Sequence, residues 1–84
     1  MGAPPRAEFA ESRAAAWEEV AGVAQTPDDG FASEGVNVLL HGATRMDFLP
    51  LEAAGARELL EAARRRGLIR PFAELQDLMN RARR

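Results

Sequence analysis

Apolar residues recur at helical spacing near the carboxyl end of the chain. Between residues 71 and 84 they follow an i, i+3, i+6, i+7 pattern, which gathers them on one narrow stripe of a helix. The stripe consists of Phe72, Leu75, Leu78, Met79 and Ala82. Polar and charged residues take the remaining positions. The pattern predicts an amphipathic helix over residues 71–84, with Pro71 suited to its first turn.

A second helix is predicted over residues 50–66, again opened by a proline, Pro50. Its apolar stripe is thinner and consists of Ala56, Leu59, Leu60 and Ala63. Three arginines followed by Gly67 form a helix stop signal, and Leu68 stands where an apolar residue folds back on the helix that it leaves. The two helices and the tight corner between them predict a carboxyl-terminal helical hairpin.

The amino-terminal half has helical composition over residues 6–25, where alanine is frequent. A helix there would gather one broad apolar face made of Phe9, Ala16, Trp17, Val20, Val23 and Ala24. Residues 36–41 are ambiguous, because a short β-branched run fits either a strand or a buried helix. A helix is favoured there because no partner strand is evident nearby.

These elements predict an all-α protein: a small bundle of three to four short helices that ends in the helical hairpin. Residues 6–84 would form this single helical domain, after a disordered lead over residues 1–5. The alternative is a ribbon-helix-helix dimer with one short strand over residues 45–49. Its two helices would be the same segments, 50–66 and 71–84.

Composition excludes several classes of function. The 84 residues contain no cysteine and one histidine, His41, so thiolate metal sites are absent and a zinc set is not apparent. No apolar run approaches the roughly 18–20 residues of a membrane span, and the start of the chain lacks the pattern of a secretory signal. We expect a soluble, cytoplasmic protein that is not an enzyme and that binds no cofactor, metal or membrane.

Charge is distributed unevenly along the chain. Residues 1–42 hold seven acidic residues against two arginines, whereas residues 43–84 hold nine arginines against six acidic residues. This polarity would steer an anionic partner toward the carboxyl-terminal half, or would pair opposite halves within one molecule or across a dimer. Every basic residue is an arginine.

Two functional hypotheses follow. The first is a small helical subunit for protein–protein interaction or assembly, an adaptor or an inhibitor of a larger machine. It would self-associate into a homodimer or higher oligomer through apolar helix faces, or bind another protein. Its interface candidates are Trp17, Phe72, Leu75, Leu78 and Met79.

The second hypothesis is a small DNA-binding regulator or DNA-packaging subunit, because arginines attract phosphate backbones. Acidic residues are interleaved with these arginines, which weakens the pattern as a nucleic-acid signal. The candidates for phosphate contact lie in the carboxyl-terminal half and are Arg64, Arg65, Arg66, Arg70, Arg81, Arg83 and Arg84.

Overall fold

A computed structural model describes residues 6–10, 13–26 and 34–84, and within them the chain combines strands with helices. Two short strands come first, β1 (Arg6–Ala10) and β2 (Arg13–Ala16), followed by a 3-10 turn (Trp17–Glu19). Three further strands are β3 (Val20–Thr26), β4 (Gly35–Leu40) and β5 (Asp47–Pro50), and two helices end the chain, α1 (Ala56–Arg65) and α2 (Phe72–Ala82). The all-α prediction is therefore wrong, and the protein is α/β.

The main sheet has three antiparallel strands in the order β3-β4-β5, while β1 and β2 pair as a separate two-stranded sheet. In the main sheet Val23 pairs with Val38, and Asn37 pairs with Phe48. The outer edge of β3 carries one parallel bridge, between Val23 and Ile69. There the N–H of Val23 donates to the carbonyl oxygen of Leu68 at 2.9 Å.

Both faces of the main sheet are covered. On one face, valines of β3 and β4 pack against α1 together with Ala15 of β2. On the other face, Ala24 of β3 and Leu39 of β4 pack against Leu75 of α2. Side chains alternate along a strand, so β3 and β4 each supply both layers, and the described chain forms a helix–sheet–helix sandwich.

The predicted helical hairpin is wrong, because α1 and α2 lie on opposite faces of the sheet. The predicted stop of the first helix at Gly67 is nevertheless confirmed. Gly67 has a φ of +69°. The N–H of Gly67 donates to the carbonyl oxygen of Arg64, and the N–H of Leu68 donates to the carbonyl oxygen of Ala63. These two bonds make a Schellman motif. After it the chain runs along the β3 edge and crosses to the other face, instead of folding α2 back onto α1.

The predicted helices over residues 6–25 and 36–41 are also wrong. The described part of residues 6–25 contains β1, β2, the 3-10 turn and most of β3, and residues 36–40 belong to β4. Residues of β4 from Gly35 to Leu39 are all buried, because α1 covers one face and α2 the other. A strand covered on both sides shows a continuous apolar run instead of alternation. Periodicity therefore could not identify β3 and β4.

The ribbon-helix-helix alternative is wrong for a different reason. The strand that it required is β5, which pairs with β4 of the same chain. Pro50 ends that strand and does not start a helix. The first helix begins only at Ala56, after Gly55 with a φ of +88°. The predicted disordered lead, residues 1–5, lies outside the described residues.

Candidate functional site

The predicted interface residues of α2 differ in how accessible they are. Leu75 is fully buried at the centre of the helix–sheet contact, so it belongs to the core. Phe72, Leu78 and Met79 are half-buried around it. At 100° per residue, Phe72 and Met79 lie on one flank of α2, whereas Leu78 lies on the opposite flank with Glu74.

Trp17, the remaining interface candidate, lies on the other side of the sheet. It is half-buried and packs against the α1-side core. The guanidinium carbon of Arg66 is 4.7 Å from the centroid of its ring, which is a cation–π contact. Trp17 therefore shares no surface with the α2 residues. The five interface candidates divide into one core residue and three separate regions.

Phe48 is an accessible aromatic residue that the sequence did not single out. Its side chain is 47% exposed, and its pairing with Asn37 places it on the α2 side of the sheet. The ring packs on Gly35, where a Cβ atom would collide with it. We group Phe48 with half-buried Met46, Phe72 and Met79, which pack against the α2-side core, and call these four residues the α2-side patch.

A buried amide lies beside this patch. The Asn37 side chain is 7% exposed and donates to the hydroxyl of Thr26 and to the carbonyl oxygen of Ala24. A buried amide with satisfied hydrogen bonds specifies one arrangement of its neighbours, because any shift leaves polar atoms unpaired. The hydrogen bond between Asn37 and Thr26 fixes β4 against β3, and Phe48 rests on β4. Once β4 and β5 are known to be strands, the alternation of side chains along them predicts that Phe48 lies on the α2 side of the sheet.

The predicted phosphate-contacting arginines are not gathered on one surface. Three of them, Arg64, Arg65 and Arg66, end α1 on one side of the sheet. Three others, Arg81, Arg83 and Arg84, end α2 on the opposite side.

Several of these arginines already have partners within the protein. Arg64 pairs with Glu61 at 2.8 Å, and Arg81 pairs with Asp77 at 2.7 Å. Arg83 donates to the carbonyl oxygen of Thr44 in the connection between β4 and β5. The structure thus describes two separate basic helix ends, partly neutralised by carboxylates.

Arg70, the seventh candidate, lies away from both helix ends. It lines a surface pocket of about 280 Å³ between the end of β4 and the start of α2. His41 and Glu74 also line this pocket, which we call the Arg70 pocket. No sequence signal joined these three residues, because they come from the end of a strand, a crossover segment and a helix.

Within the described ranges there is no group of three or more histidine, cysteine, aspartate or glutamate residues placed to hold a metal ion. In the same residues, neither helix has the length and apolar character needed to cross a bilayer. Comparisons with protein-family models, curated proteins and solved structures give no match.

Proposed function

We propose that this protein is a small non-enzymatic interaction module that self-associates, as a homodimer, through the α2-side patch. The observation that carries the proposal is the exposure of Phe48 on a sheet face that α2 covers only over β3 and β4. A large aromatic side chain placed at the border of a hydrophobic layer is the usual anchor of a protein–protein interface.

The composition of the patch supports this proposal. None of its four side chains is charged, and depletion of charge distinguishes the centre of an interface from the rest of a surface. The buried part of the α2-side core is small, with only Ala24, Leu39 and Leu75 buried among the described residues. A second copy packed on Phe48 and Met79 would enlarge this layer and stabilise it.

The lack of charge in the patch supports a second copy as the occupant, because an uncharged apolar surface is complementary to itself. A two-fold dimer would use the same patch on both molecules.

The chemistry of the chain favours binding over catalysis. His41 is the only histidine of the sequence, and the hydroxyl of Thr26 is hydrogen-bonded to an amide, that of Asn37, and not to a base. The proposal includes a cytoplasmic location, as expected from the sequence.

The proposal is tested by measuring the mass in solution at increasing protein concentration, by light scattering or sedimentation. We expect a dimer for the parent protein and a monomer for Phe48→Ser. Ile69→Ser is the matched control, because Ile69 is also an exposed large apolar residue, 37% exposed, but lies at the β3 edge outside the patch. It should remain dimeric.

Circular dichroism of each variant shows whether it is folded. A parent protein that stays monomeric at high concentration would overturn the proposal, and so would a folded Phe48→Ser variant that still dimerises. Loss of the dimer in both serine variants would mean that the interface extends to the β3 edge and that the patch is wrongly assigned.

A further inference from the structure

We infer that the Arg70 pocket binds a small zwitterion of the α-amino-acid class with an aliphatic side chain. This inference does not depend on the proposed dimer, because the pocket faces the Leu78 and Glu74 flank of α2 and the patch uses the Phe72 and Met79 flank. Three features of the pocket support it: an unpaired arginine, an unpaired glutamate, and apolar side chains in the same lining.

The backbone directs Arg70 away from the helix that follows it. The N–H of Arg70 donates to the carbonyl oxygen of Val23 at 2.8 Å, and Pro71 is the N-cap of α2. The aliphatic stem of Arg70 then crosses Gly22, where a Cβ atom would lie 2.8 Å from Arg70 Cγ. A glycine at position 22 gives the stem room to lie against the sheet, in the position in which Arg70 lines the pocket.

Arg70 and Glu74 have the i, i+4 spacing at which opposite charges pair on a helix. Asp77 and Arg81 show that pairing in α2 itself, at 2.7 Å. Arg70 and Glu74 do not pair, because Arg70 precedes the helix. Within the described part of the chain, neither side chain has an ion pair or a hydrogen bond. The pocket therefore has one free cation and one free anion among its lining residues.

The rest of the lining mixes polar and apolar groups. His41 is its polar side chain, and the apolar side chains come from β3, the end of β4, the residues after it and α2, namely Ala21, Leu39, Leu40, Ala43 and Leu78. The volume of about 280 Å³ is at the small end of the range for ligand pockets. It is sufficient for a molecule of amino-acid size.

The charges determine the ligand class. The fork of Arg70 matches a carboxylate, which it can bind through two parallel hydrogen bonds. Glu74 would accept hydrogen bonds from an ammonium group and would repel a second negative charge. A dianion such as phosphate is therefore disfavoured, whereas a ligand with one carboxylate, one ammonium and an aliphatic side chain satisfies all three features.

The test is a titration of the full-length ¹⁵N-labelled protein with L-leucine, followed by NMR. We expect saturable shifts of the amide signals of Gly42, Ala43 and Glu74, with affinity in the millimolar range. Three probes are compared in parallel: N-acetyl-leucine lacks the ammonium group, leucinamide lacks the carboxylate, and inorganic phosphate lacks both the ammonium and the side chain. Each should bind more weakly than leucine.

Variants assign the binding to the pocket. Arg70→Met keeps a long stem over Gly22 and removes the guanidinium, so leucine affinity should fall about tenfold, as for loss of a charge-assisted hydrogen bond. Arg65→Met is the control, because Arg65 is exposed at the end of α1. Glu74→Gln should weaken binding of leucine but not of N-acetyl-leucine.

Some outcomes would overturn the inference. They are the absence of saturable shifts with leucine, equal binding of leucine and its two blocked derivatives, and a preference for phosphate. Unchanged leucine affinity in folded Arg70→Met would also overturn it. If Arg70→Met does not fold, the contrast between leucine and N-acetyl-leucine in Glu74→Gln decides the question, because Glu74 is exposed and contributes little to the core.

Discussion

Gly22 of β3 lies directly beneath Leu75 of α2. A Cβ atom at position 22 would be 2.7 Å from Leu75 Cδ2, a distance that no relaxed packing tolerates. The absence of a side chain at this one position lets α2 approach the sheet closely enough to bury Leu75 completely. Gly22 therefore has a packing role, although glycine is unfavourable inside a strand.

Gly22→Ala should destabilise the protein by about 1–3 kcal/mol, the usual cost of overpacking a core. Urea denaturation followed by the fluorescence of Trp17 measures this change. The same substitution made in a Leu75→Ala background should cost less, because its closest obstacle has been removed. Equal costs in the two backgrounds would show that Leu75 does not limit the approach.

Leu75→Ala should itself cost about 2–5 kcal/mol, because a fully buried leucine loses its transfer free energy and leaves a cavity. Thermal and urea denaturation both report this loss. Gln76→Ala, at the next and exposed position of α2, should change the stability very little. A melting temperature unaffected by Leu75→Ala would contradict the packing described for the α2 side.

Thr26→Val should cost about 1–3 kcal/mol, because it keeps the shape of the side chain but leaves the buried amide of Asn37 without its hydroxyl partner. Thr44→Val is the control, since Thr44 is exposed in the connection between β4 and β5. The measurement is urea denaturation of both variants. Equal stability of the two would mean that water replaces the hydroxyl.

Arg66→Ala should cost about 0.5–1 kcal/mol, the value of a cation–π contact near a surface. Because Trp17 is the only tryptophan, loss of the guanidinium from its ring should also alter its emission spectrum. Arg65→Ala should alter neither stability nor emission. Identical spectra for the two variants would argue against the stacked geometry of Arg66 and Trp17.

The DNA-binding hypothesis makes a prediction that can be tested directly. Since the basic helix ends lie on opposite sides of the sheet and are partly paired with acidic residues, we expect no saturable binding to a short duplex at physiological salt, about 0.15 M. Fluorescence anisotropy of a labelled duplex measures this. Saturable binding that is lost when Arg64 and Arg65 are replaced by alanine would restore the hypothesis.

The carboxyl-terminal elements were more predictable than the rest of the chain. The stripe of α2 and the stop at Gly67 arise from local rules, namely helical periodicity and the left-handed conformation that glycine adopts readily. Both appear in the structure, as a helix over Phe72–Ala82 and as the Schellman motif.

The strands were not predictable, because their burial depends on elements distant in the sequence. Val23 and Leu39 are buried by α1 and α2 respectively, so the segments around them lack the alternation that identifies a half-exposed strand. Alanine-rich composition then favoured a helix over residues 6–25. The bridge between Val23 and Ile69, which brings Arg70 to its pocket, joins residues 46 positions apart and has no local signature.

The crossover at the β3 edge has a consequence for how the molecule unfolds. Two backbone hydrogen bonds tie the segment between α1 and α2 to the sheet. The N–H of Val23 donates to the carbonyl oxygen of Leu68, and the N–H of Arg70 donates to the carbonyl oxygen of Val23. Neither helix can therefore detach far without breaking a strand contact that both layers share. The two hydrophobic layers should act as a single cooperative unit, in which hydrogen exchange of the Val23 and Arg70 amides reports the same free energy of opening, that of the whole domain.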